Sequence, residues 1–303
     1  MTEFIQQLFN GLSLGSIYAL IALGYTMIYG ILRFINFAHG DVFMIGAFSG
    51  YYLGILFAFS TSGGFTSFGL AFLILLGAMA ICSVLGFVIE KLAYKPLRKS
   101  PKLAILITAI GVSLFLEYTG QLVFGADPKS FPSLLENKPV INLSGAVIGS
   151  NPLVVLITAA ILMFVLRMIV MKTKIGTAMR AVSFNPTAAS LMGININAVI
   201  SFTFIIGSSL AGAAGILYGL NYPSIDPLMG ILPGIKAFVA AVLGGIGNIP
   251  GAAIGGMIIG LVETFVTGYI SPTFRDAIAF GILILILLFK PTGILGKKEV
   301  EKV

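Results

Sequence analysis

Long apolar runs recur along this chain, most of them close to the roughly twenty residues an α-helix needs to cross a hydrocarbon layer. They fall near residues 11–32, 42–60, 69–90, 103–123, 153–171, 198–220, 235–247, 250–270 and 277–289. Strands of a membrane barrel would alternate apolar and polar residues over about ten positions, and these runs do not alternate. The pattern predicts an all-α polytopic integral membrane protein with about 8–10 transmembrane helices, a single domain over residues 1–303. The seventh run is short and interrupted by glycine, which predicts a broken or re-entrant helix.

Composition agrees. Only 10% of the 303 residues are charged, against about a quarter in a soluble domain. Cys82 is the only cysteine and sits inside an apolar run, so it reads as a small buried hydrophobe and allows no disulfide within the chain. The first residues, MTEFIQQLFN, carry no Lys or Arg. A cleaved signal peptide would need a basic start, so the first run reads as a retained span.

The net charge of +7 has a distribution that explains it. Lys91, Lys95, Arg98, Lys99 and Lys102 share one loop; Lys172, Lys174 and Arg180 share another; Lys290, Lys297, Lys298 and Lys302 share the C-terminal tail. Basic loops stay in the cytoplasm, and the nine runs put all three segments on one side. The same reading puts Arg33 inside and the N-terminus outside, together with the mixed charges Asp127, Lys129, Glu136, Lys138, Asp226 and Asp276. The basic excess is a topology signal, and no nucleic-acid motif accompanies it. The longest outer segment, about 124–152, is rich in Pro, Gly, Ser and Asn and reads as a loop with room for a short surface helix.

Helices in lipid gain little from hydrophobic burial and associate through close backbone contact at small residues. Gly207, Ala211, Gly215 and Gly219 recur every four positions, as do Gly247, Gly251 and Gly255, and Gly11, Gly15 and Ala19. Each set predicts a packing stripe. Tyr29, Tyr51, Tyr52, Tyr94, Tyr218, Tyr222 and Tyr269 fall near span ends and read as an interfacial belt.

Ionisable groups inside a membrane are costly and mark either a pathway or a structural pair. Glu117 in the fourth span and Glu263 in the eighth admit both readings. Arg167 lies close enough to the inner end of the fifth span to snorkel. Asn36, His39 and Asp41 lie at the boundary between the first two spans. His39 is the only histidine, which excludes a multi-histidine metal site. Asp41, two residues on, points elsewhere on a helix. Asn36, Gly40 and Asp41 therefore read as a turn followed by an N-cap for a span starting at Val42.

Catalytic motifs are missing. The chain has no G-x-x-x-x-G-K-[ST], no H-E-x-x-H and no G-x-S-x-G, so it has no nucleotide-binding loop of its own and no hydrolase constellation. GGIGNIPG at 244–251 has Pro250 where a dinucleotide loop needs Gly. Work against a gradient would need an ion or another subunit.

One water-facing stretch stands apart, RAVSFNPTAASLMGIN at 180–195. Asn185 is a good N-cap, Pro186 suits the first helical position, and Gly193 suits the residue after the last turn. The helix between is about two turns, too short to be stable alone in water. Ala188 and Ala189 are small, and Leu191 and Met192 are apolar, which fits a helix docking in a partner's groove. The alternative is that it lies along the membrane surface.

Three segments carry a resemblance. FNGLSLGSIYALIALGYTMIYGILRFINFAHGDVFMIGA, RAVSFNPTAASLMGIN and VLGGIGNIPGAAIGG resemble, in the same order, the start, the coupling segment and the Gly-rich segment of LivH-type permeases of the branched-chain amino acid ABC transporter family. The resemblance runs from Asn10 to Gly256. It implies a type II importer permease fold in a bacterial inner (plasma) membrane, multi-pass, with its C-terminus cytoplasmic. It also implies a second related permease, two ATP-binding cassette subunits and an extracytoplasmic solute-binding protein as partners. No cofactor would be bound by this chain, since ATP would bind the partner subunits. The segment 172–197 would hold the coupling helix. Branched-chain amino acids are the default substrate, with urea, short amides or other amino acids as alternatives. A different class, an ion-coupled secondary transporter, would use Glu117 and Glu263 and would commonly show inverted repeats, which the chain lacks; an intramembrane enzyme lacks a catalytic set.

Overall fold

Backbone polar groups in oil must find partners within their own segment, which makes apolar runs of this length helical. The computed structural model describes residues 2–60, 68–98, 100–143, 146–290 and 292–296. In chain order these form α1 (Thr2–Leu32), α2 (His39–Ser60), α3 (Phe68–Ile89) with a π turn at Glu90–Tyr94, and α4 (Lys102–Phe124). Three short strands follow, β1 (Lys129–Ser130), β2 (Pro139–Leu143) and β3 (Ala146–Gly149). Next come α5 (Ser150–Lys172), α6 (Lys174–Phe184), α7 (Pro186–Leu191), α8 (Ile196–Asn221) and β4 (Ser224–Ile225). The chain ends with α9 (Ile231–Gly244), α10 (Ile249–Tyr269) and α11 (Arg275–Phe289). Eight of these helices are long and apolar enough to span a membrane, and α9 is shorter. The chain is a multi-pass membrane protein.

α1 and α8 run mostly buried through the middle, while α4, α5 and α11 are mostly exposed on the outside. The small residues decide who touches whom. Gly11, Gly15 and Ala19 of α1 meet Gly256, Met257, Gly260 and Leu261 of α10; a methyl added at Gly15 would sit 2.8 Å from the Met257 Cα. Gly207 of α8 lies against Gly24 of α1, Gly212 against Cys82 of α3, and Gly215 against the α2 backbone around Phe43 and Ala47. Gly251 and Gly255 of α10 face the α9 backbone, but Gly247 departs from its predicted stripe. It lies in the turn before α10 with φ +89°, where glycine alone is comfortable.

The described basic segments gather at one end of the bundle. Ser183 of α6 donates to the Gly30 carbonyl at the end of α1 (2.5 Å). Arg98 Nη1 donates to Asn197 Oδ1 at the start of α8 (2.6 Å). The amides of Ile294 and Leu295 donate to the carbonyls of Leu243 and Gly244 (2.8 and 3.1 Å), which fixes residues 292–296 to the same end. Lys99, Lys297, Lys298 and Lys302 lie outside the described residues. At the opposite end Asn221 donates to Ser13 (2.6 Å) and β1 pairs antiparallel with β4. Between the end of α4 at Phe124 and Ser150 there is no helix among the described residues. This segment forms the β2–β3 hairpin and the β1 strand instead.

Candidate functional site

The turn after α1 folds back into the bundle. Arg33 adopts φ +58°, and residues 34–38 climb alongside α1 until α2 begins at His39, level with Gly24. The Cys82 thiol, midway along the helix from Phe68 to Tyr94, donates to the Val42 carbonyl at 3.5 Å. α2 therefore starts deep in the bundle, three residues before the predicted boundary. Asp41 is not an N-cap. It lies in the first turn of α2 and accepts a hydrogen bond from the Ser113 hydroxyl of α4, one turn before half-buried Glu117. His39 points the other way, fully buried, into the space left by Gly24, with its ring edge-on to Tyr25 at 4.9 Å. Asn36 Oδ1 accepts from the Tyr94 hydroxyl at 2.5 Å, both side chains buried. Tyr94 is thus a core residue and not part of an interfacial belt.

A second interrupted element meets the first. α9 begins at Ile231, and Gly230 and Gly234 press against Gly40; a methyl on Gly40 would lie 2.5 Å from the Gly230 carbonyl oxygen. The two helices start back to back and diverge. α2 runs towards Phe131 and Pro132, and α9 towards the end that holds α6 and α7. The short seventh run is a true half-length helix, and α2 shares its origin. Discontinuous helices that start near the middle of a membrane bundle line transport sites in several transporter folds, because their N-termini offer free amides and positive potential there.

Glu263 belongs to a different group, near the opposite end from α7. Its carboxylate accepts from the Tyr18 hydroxyl (2.8 Å) and pairs with Lys236 Nζ of α9 (2.6 Å). Lys236 also reaches Asp276 Oδ1 at the start of α11 (2.6 Å), and Arg275 Nε lies 3.9 Å from Glu263 and 3.6 Å from Asp276. Lys236 is 2% and Glu263 5% exposed. Two cavities, of about 350 and 300 Å³, adjoin the group and share Glu263, Arg275, Leu14 and Tyr222 in their walls. Burial pushes the Tyr222 hydroxyl up to about 12, so it is a neutral hydrogen-bond group. Lys236, Arg275 and Tyr18 were not legible as site residues, since each lies in or beside an apolar run and its partner Glu263 is far from it or on another helix.

At the other end α7 is built as its residues predict. Asn185 Oδ1 caps the Ala188 amide (3.0 Å), Pro186 opens the helix, and Gly193 takes φ +81° just after it. Ala189 is buried, whereas Leu191 and Met192 are 85% and 83% exposed. α6 precedes α7 as a second helix inside the predicted segment 172–197, where only the short helix was expected. Beside them Glu90, fully buried, pairs with Arg98 and accepts from Ser201 of α8 (2.7 Å). This cluster was missed because Glu90 ends an apolar run like any boundary residue. The predicted site residues thus fall into three places: Asn36, His39, Asp41 and Glu117 at the α2 start, Glu263 in the cavity group, and the Asn185–Gly193 segment at the far end.

A family model described as the permease component of the branched-chain amino acid transport system matches residues 7–287. The chain is 45% identical over 303 residues to the high-affinity branched-chain amino acid transport system permease protein LivH of Escherichia coli (strain K12), covering 99% of this chain and 98% of the relative. It is 44% identical over 305 residues to the corresponding BraD protein of Pseudomonas aeruginosa, with the same coverage. A probable branched-chain amino acid transport permease protein LivM of Methanocaldococcus jannaschii is 25% identical over 245 residues, 75% of this chain and 70% of the relative. No solved structure matches. Matched by this family model and by relatives along nearly its whole length, the chain belongs to the permease-component family of branched-chain amino acid transport systems.

Proposed function

We propose that this chain is a permease subunit of an ATP-driven, binding-protein-dependent importer of leucine, isoleucine and valine. The full-length likeness to permeases named for high-affinity branched-chain amino acid transport supports the substrate class. One observation carries the coupling role. α7 is a capped six-residue helix that packs Ala189 inward and leaves Leu191 and Met192 bare. Two exposed apolar side chains on a water-facing helix have a physical reason to be there when a partner's groove covers them. In this reading two ATP-binding cassette subunits bind the nucleotide and grip α7 and its counterpart on a second, related permease. A solute-binding protein delivers the amino acid at the opposite end. The α7 end and residues 292–296 face the cytoplasm of a bacterial cell, as basic loops do, and the chain itself binds no cofactor.

Closure of the ATPases pulls α7, and α6 and α8 with it. The half-length helix α9 and the start of α2 lie next to the path, where two backbones meet without side chains between them. The test is uptake of labelled Leu, Ile, Val and urea by cells with and without the gene. Loss of Leu, Ile and Val uptake on deletion, insensitive to a protonophore while ATP is maintained, supports the reading. Uptake that collapses with the proton gradient supports the ion-coupled alternative, and selective loss of urea uptake moves the substrate class.

A further inference from the structure

The smaller cavity has two kinds of wall. Asp226, Lys236, Glu263 and Arg275 supply two acids and two bases, while Leu228, Met229 and Leu232 at the start of α9 supply an apolar face. At about 300 Å³ it lies at the low end of the roughly 300–1,000 Å³ typical of small-ligand sites, which suits one amino acid and not a peptide. The charges are unequally committed. Lys236 is held between Glu263 and Asp276 at 2.6 Å on both sides. Among the described residues Arg275 has no contact closer than 3.6 Å to a carboxylate, and its side chain is 45% exposed.

We infer that this cavity binds the zwitterionic head of an aliphatic α-amino acid, with its carboxylate on Arg275, its ammonium between Glu263 and Asp226, and its side chain against Leu228, Met229 and Leu232. This rests on the transport reading above and adds a site to it. With Asp276 on Lys236 the cluster counts three acids and two bases; a zwitterion adds no net charge to it, whereas an anionic ligand would add to its negative excess. Tyr222, protonated, adds a neutral hydrogen-bond partner at the rim.

Zwitterionic lipid headgroups share this chemistry, so the test separates them. In the assembled transporter, reconstituted in nanodiscs of phosphatidylglycerol, Leu232→Cys is labelled with a small thiol reagent; Leu232 is 43% exposed and the native Cys82 is buried. Leucine should slow labelling, while isopentylamine, lacking the carboxylate, and 4-methylpentanoate, lacking the ammonium, should compete at least roughly thirtyfold more weakly. In Arg275→Gln the advantage of leucine over isopentylamine should vanish, and Arg275→Lys should restore part of it. Equal protection by all three compounds, or none by leucine in a complex that imports leucine normally, overturns the site and leaves the function standing. A complex that imports no branched-chain amino acid overturns the functional reading itself. Leucine-independent protection in phosphatidylethanolamine nanodiscs assigns the cavity to a lipid headgroup.

Discussion

Lys236 of α9 and Glu263 of α10 pair at 2.6 Å with their side chains 3% and 6% exposed. Removing one partner of such a pair strands the other charge in a low-dielectric interior, at a cost of about 3–5 kcal/mol. Lys236→Met is therefore expected to lower the thermal unfolding temperature of the detergent-solubilised complex markedly. Because Tyr18 and Asp276 share the same network, the double variant Lys236→Met/Glu263→Gln should be more stable than the sum of the two single losses. Strict additivity would mean the pair is not coupled.

Gly260 of α10 has the backbone of Gly15 where a side chain would point. Gly260→Val must separate α1 from α10, and overpacking at such a contact costs about 1–3 kcal/mol. Gly281 of α11 has open space instead, so Gly281→Val is the matched control. A comparison of purified yield and unfolding temperature checks this; equal loss in both variants would refute a packing role for the α1–α10 stripe.

Leu191 and Ala189 lie on the same short helix and should fail differently. Leu191→Glu changes an exposed side chain, so the chain should insert and fold normally but no longer co-purify with ATPase subunits. Ala189→Glu forces a charge into a buried position, so it should unseat α7 and lower stability as well. Unaltered ATPase retention in Leu191→Glu would remove α7 from the interface.

Topology has its own test. Ser190 is exposed on α7, and a cysteine placed there should resist an impermeant thiol reagent applied outside intact cells, yet react after permeabilisation. Buried Cys82 keeps the background low. Labelling of intact cells would invert the orientation.

The long helices were legible because length and lack of charge alone decide whether a segment can span oil. The α7 boundaries were legible because Asn185, Pro186 and Gly193 act within a few residues of themselves. The α2 start was not. Whether residues 34–38 leave the bundle or fold back into it depends on Gly24, Gly230 and Gly234, which make room for His39 and Gly40 from distant parts of the chain. Glu263 stood out as a charge in oil, but its partners lie on α1, α9 and α11, and a Lys or Arg near a span end carries no label naming its mate. The β2–β3 hairpin was hidden for another reason, since strands this short take their order from the bundle beneath them.

Gly40 meets Gly230 and Gly234 with bare backbone on both sides. The contact itself is backbone on backbone, worth about 0.1–0.2 kcal/mol for each touching atom pair. What fastens the two helix starts lies on either side of it: the Tyr25 ring packs on both His39 and Phe238, and Lys236 ties α9 to Glu263 and Asp276. The seam is two smooth tiles whose mortar is all at the edges.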